Sequence, residues 1–114
     1  MEEGQIILTV FPQDKEQKLR PALILKQFPK YGDLLVCGIS SRLHQFIPGF
    51  DLLLDEKHAD YKRSGLKSPC VCRLSMLTVL MKQDVTGVLG SLSDKTHYQL
   101  LNNFSSFLLS KKKR

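Results

Sequence analysis

Between residues 4 and 84 the chain alternates short apolar runs with polar breaks, a rhythm that fits a fold built mainly of strands. The runs GQIILTVF (4–11), RPALILKQ (20–27), DLLVCGIS (33–40), FDLLL (50–54), CVCRL (70–74) and LTVLMKQD (77–84) read as strands, with VTGVLGSL as a further candidate. Pro12, Pro29 with Gly32, Pro48-Gly49 and Pro69 supply the breaks, because proline lacks the N–H that a ladder needs and glycine enters turns freely. Spans of this length suggest a small β-barrel. A single helix is expected, at the end. In SDKTHYQLLNNFSSFLLS (93–110) Ser93 can cap, Asp94 suits the positive end of the helix dipole, and apolar side chains recur at Tyr98, Leu101, Phe104 and Leu108. That stripe should face the barrel, with His97 on the surface.

At 114 residues the chain is expected to form one domain, over 1–109, followed by a basic tail at 110–114. Its 42% hydrophobic and 25% charged residues are those of an ordinary folded protein and not of a disordered one. A formal charge of +6 favours an anionic partner, yet Lys111, Lys112, Lys113 and Arg114 supply four of the 17 cations. The remaining thirteen face 11 acids, and an excess of +2 decides little. The opening MEEGQIILTVF carries acids where a secretory leader would be basic, and no apolar stretch approaches the ~20 residues that span a bilayer. The expectation is a cytoplasmic protein with no membrane partner. Three cysteines, an odd number, argue against a disulfide framework. Cys70 and Cys72 fall on one face of a strand with no second ligand pair nearby, so they read as small packed hydrophobes, and no metal or cofactor is expected.

One junction stands out in this frame. In KEQKLRPALIL (15–25) a charged loop meets an apolar strand at Arg20-Pro21. Pro21 marks the point where loop becomes sheet, which leaves Arg20 at the rim. A guanidinium stays charged at any physiological pH and presents a planar fork suited to phosphate, although an arginine at a strand start is also an ordinary surface residue. The order of motifs around it adds weight. A Gly-x-Ile-x-Leu strand ending in Phe11-Pro12 precedes it, then follow Leu34 to Ser41 (LLVCGISS), Ser64-Gly65-Leu66-Lys67, Val71 to Thr78 (VCRLSMLT), and Gly90-Ser91-Leu92-Ser93 before the helix.

This succession, over roughly residues 4 to 108, resembles the MazF/PemK family of toxin endoribonucleases from toxin-antitoxin pairs. The resemblance implies an SH3-like β-barrel of the PemK/CcdB type with a C-terminal α-helix, a homodimer, a cognate acidic antitoxin as protein partner, and cleavage of single-stranded RNA without a metal. Such cleavage takes the neighbouring 2′-OH as nucleophile and needs fixed donors around the phosphate as charge builds. Three residues match the family's catalytic positions: Arg20 in the RP motif, Ser40 where the family has a Thr, and Arg73 on a later strand. Arginine cannot serve as an ordinary base, so charge stabilisation is its expected role. Lys15, Lys18, Ser41, Arg42, His44 and Lys67 are the expected RNA contacts. Two features depart from the family pattern: Ser75 stands where some members carry an Asp, and the loop Gln13 to Leu19 lacks the His of certain relatives. A protein-binding toxin like the CcdB gyrase poisons, or a non-catalytic RNA binder on the same barrel, is therefore the alternative reading.

Overall fold

The computed structural model describes residues 1–111; Lys112, Lys113 and Arg114 of the expected tail lie outside the described residues. Six antiparallel strands form one sheet: β1 (Gln5–Thr9), β2 (Arg20–Gln27), β3 (Leu34–Ser40), β4 (Leu52–Leu54), β5 (Cys70–Leu80) and β6 (Val85–Ser91), in the spatial order β4-β5-β3-β2-β1-β6. A short helix α1 (Tyr61–Ser64) joins β4 to β5, and α2 (Asp94–Leu109) ends the fold. The sheet curls into a half-barrel, with β4 and β6 as its two edges. Mostly strand with one C-terminal helix, the architecture is the one the sequence led us to expect.

Alternation buries both faces of the central strands. On one face Ile6, Leu23 and Cys37 lie abreast and join Leu25, Ile39, Cys72 and Leu74 beneath Leu100 of α2. On the other, Ala22 pairs with Ile7 and Ile24 with Val36, closed over by Phe11 and by Leu80 and Val85 at the β5–β6 corner. Each fully buried Leu or Ile contributes ~2 kcal/mol, so β2 anchors both layers at once through Leu23, Ile24 and Leu25. Thr9, itself buried, donates its hydroxyl to the Asp84 carbonyl at 2.8 Å and ties β1 to that corner.

Several expectations are corrected. The runs 70–74 and 77–84 are not two strands: β5 is continuous from Cys70 to Leu80 and carries a bulge. Leu77 pairs with Cys37 but Arg73 pairs with Gly38, so residues 74–76 step out of the ladder. Ser75, between the two expected runs, is the exposed residue of that bulge. The Leu74 N–H is taken by the buried Asp51 carboxylate, which accepts it at 3.0 Å and accepts the Ile47 N–H at 3.0 Å through its other oxygen.

The helix stripe is also shifted. Ser93 caps α2 as expected, its hydroxyl accepting the Thr96 N–H, and Leu101 and Phe104 pack inward with Leu100. Tyr98 and Leu108, however, are 73% and 62% exposed. His97 is not a plain surface residue: half-buried, it donates from Nε2 to the Leu25 carbonyl at 2.9 Å and pins the helix to β2. All three cysteines are free and buried, and burial pushes the Cys37 thiol up to about 12. They pack as small hydrophobes, as expected. Among the described residues no helix is long and apolar enough to cross a membrane.

Candidate active site

A cleft of about 670 Å3 opens where β2 begins, β3 ends and β5 passes its bulge. The register explains its composition. Ala22, Gly38 and Arg73 stand abreast across three strands; Arg20 lies two residues outward from Ala22, and Ser40 two outward from Gly38. Strand alternation therefore puts Arg20, Ser40 and Arg73 on one face. The small residues between them keep the floor open, and Gly38 has a second duty. A Cβ at that position would meet Met76 Cε at 2.9 Å, because Met76 folds from the bulge back over the strand.

Each of these side chains is held by a neighbour. Arg20, with its side chain 49% exposed, donates from Nε to Asp14 Oδ2 at 3.3 Å. Among the described residues its two terminal nitrogens have no protein partner, so the fork stays free. Asp14 is steadied in turn by the Glu16 N–H, which donates to its other oxygen at 3.0 Å. That N–H and the Arg20 guanidinium hold the Asp14 carboxyl below the usual carboxylate range. The Ser40 hydroxyl donates to Gln45 Oε1 at 2.7 Å and accepts the Arg42 N–H at 3.1 Å. Arg73 donates from Nη2 to Ser75 Oγ at 3.3 Å, while its Nε is buried with no hydrogen-bond partner among the described residues.

The far wall depends on two glycines. Helix α1 ends at Gly65 with φ +74°, and a Cβ there would strike the Leu89 carbonyl; one at Gly90 would strike the Arg63 carbonyl. Only glycine permits α1 to lie this close to β6, and that docking carries Leu66 and Lys67 to the cleft edge.

Six of the residues singled out in the sequence thus line one cleft: Arg20, Ser40, Ser41, Arg42, Lys67 and Arg73. Three do not. Lys15 is exposed on the loop before β2, Lys18 pairs with Glu16 at 2.7 Å in solvent, and His44 is exposed on the single 3-10 turn Leu43–Gln45. Asp14, Gln45 and Met76 also line the cleft without having been singled out. Asp14 shares a loop with Arg20, but Glu16 is the nearer carboxylate in sequence, so only the fold singles Asp14 out. Gln45 and Met76 depend on a 3-10 turn and a bulge that leave no motif.

The sequence profile of the PemK-like, MazF-like toxins of type II toxin-antitoxin systems matches residues 2–108. Among solved structures the chain is similar to an endoribonuclease in complex with its cognate antitoxin from a mycobacterial species. The TM-score is 0.66 and the identity 16%, over 98% of this chain and 99% of that one. At that identity the likeness speaks for the fold. Comparison with curated proteins gives no significant match.

Proposed function

We propose that this chain, which belongs to the PemK-like, MazF-like toxin family of type II toxin-antitoxin systems, is an endoribonuclease that cuts single-stranded RNA in the cleft around Arg20. The observation that carries this reading is the pair of arginines: Arg20 with a free terminal fork and Arg73 with an unpartnered buried Nε, both lining one cleft. An unsatisfied guanidinium N–H costs ~1–3 kcal/mol, so holding Arg73 in this position destabilises the fold.

In the proposed reaction the 2′-oxygen of one nucleotide attacks the adjacent phosphorus, the bond from phosphorus to the 5′-oxygen breaks, and a 2′,3′-cyclic phosphate and a 5′-hydroxyl result. The 2′ proton leaves the nucleophile, and a proton is delivered to the departing oxygen. Arg20 and Arg73 stabilise the non-bridging oxygens as charge accumulates on them. Arg42 and Lys67 hold flanking phosphates, with the Ser40 and Ser41 hydroxyls at the edge of the site. The reaction so written uses no metal. In the same reading the chain acts as a homodimer and is silenced by an acidic antitoxin. The exposed Phe107, Leu108 and Leu109 of α2, with the Phe107 ring tilted against Phe50 at a centroid distance of 5.0 Å, offer an apolar surface for a protein contact.

The test is incubation of the purified protein with a mixed-sequence RNA in EDTA beside Arg20→Ala. Discrete fragments from the parent protein alone are expected. Ser75 and the absence of a histidine in the Gln13–Leu19 loop favour one other reading, a binding protein on the same fold. Intact RNA with tight binding of RNA or gyrase would select it.

A further inference from the structure

The Ser40 hydroxyl is already committed on both sides. Its proton goes to Gln45 Oε1 at 2.7 Å, and its oxygen accepts the Arg42 N–H at 3.1 Å. The Arg42 N–H takes one lone pair of that oxygen, and the hydroxyl proton, directed at Gln45 Oε1, sets the orientation of the carboxamide. The carbonyl end of Gln45 is therefore anchored and the NH2 end is left over, on a half-buried side chain that lines the cleft beside Ser40 and Arg42. That end is a donor with no acceptor capacity.

The cleft has four cations in Arg20, Arg42, Lys67 and Arg73, which suit phosphates. A neutral planar amide adds little there but matches the edge of a base, and single-stranded RNA exposes those edges. At the exocyclic position of a base edge, a donor-only group donates to a carbonyl and is opposed by an amino group. Guanine O6 and uracil O4 present the first; adenine N6 and cytosine N4 present the second.

Resting on the ribonuclease reading above, we propose that Gln45 is a specificity-determining residue that reads one base beside the scissile phosphate and selects a keto base, guanine or uracil, over an amino base. Ser40 is then a positioning residue, fixing which end of the amide faces the strand.

The experiment maps cut sites of the full chain on an RNA library randomised around a single position set. The parent protein should require guanine or uracil at one position flanking the cut, by about tenfold or more over adenine and cytosine. In Gln45→Glu the carboxylate still accepts from Ser40 but now presents an acceptor, so the preference at that position should turn towards adenine and cytosine, whatever happens to the overall rate. Gln45→Met, of similar size, should lose the preference, and Ser40→Ala should weaken it because the amide can then turn over. A folded Gln45→Glu variant with the parent's base preference would overturn the inference while leaving the nuclease reading intact. Failure of the parent protein to cut any RNA, or equal cutting by Arg20→Ala, would overturn both.

Discussion

At the scale of single residues, the site is a set of charges whose orientations are fixed by neighbours. Asp14 bonds Arg20 at Nε and so leaves the terminal fork for a ligand. An ion pair that solvent reaches adds little to stability, so its main effect is on geometry. Asp14→Ala should therefore fold normally and cut RNA roughly tenfold more slowly. The sign of its pH dependence follows from the depressed carboxyl. Any stabilisation is complete above the unfolded value of ~3.9 and is lost as pH falls through the lower folded value. Between pH 5 and 8 the ratio of parent to Asp14→Ala rates should thus be constant, and a ratio that drifts across that window would contradict the assignment. Arg73 makes the opposite kind of prediction. Its unpartnered Nε costs folding energy, so Arg73→Met should raise stability by ~1 kcal/mol in a thermal melt while weakening RNA binding. The shared placement of six of the residues singled out was legible in the sequence because they lie near strand ends, beside a glycine turn or, for Arg73, abreast of Gly38 within β5. The placement of Lys15, Lys18 and His44 outside the cleft was not, because a loop side chain takes its direction from backbone turns that composition does not specify.

At the scale of elements, the strands were legible wherever a proline or glycine ended an apolar run. β2 and β3 fall within a residue of their expected spans. The bulge in β5 was not, since the polar Ser75 falls between two apolar runs and only pairing with β3 reveals the continuous strand. The bulge is stabilised from outside by Asp51, whose two oxygens accept the Leu74 and Ile47 N–H groups in a buried setting. Asp51→Ala strands both donors and should cost ~2–3 kcal/mol, read as a lower denaturant midpoint with an unchanged slope. The helix stripe erred by a fraction of a turn. Tyr98 and Leu108 sit at helical spacing from Leu101 but on the flank, because the inward face is set by Leu100, Leu101 and Phe104 against the sheet. Gly65 tests the far wall. Alanine there meets both a left-handed φ and the Leu89 carbonyl, so Gly65→Ala should lose ~2 kcal/mol or more and, by displacing Lys67, weaken RNA binding beyond what the stability loss explains.

At the scale of the whole molecule, one sheet supplies two cores and a cleft. The face that buries Ile7, Ile24 and Val36 continues through Ala22 and Gly38 to Arg20, Ser40 and Arg73, so the site is the open end of a hydrophobic layer. That continuity explains how a chain with little net charge outside its last four residues can still concentrate cations in one place: curvature gathers them where strands end. It also separates the open cleft, lined by cations, from the rest of the sheet, which is filled by the two apolar layers. The account stands most directly on the identity of the nucleophile. Once the cut site is mapped, the same RNA should be compared with one carrying a single 2′-deoxy sugar on the 5′ side of that bond. Cleavage of the natural strand with no cleavage of the substituted one is the predicted result; equal cutting of both would contradict it.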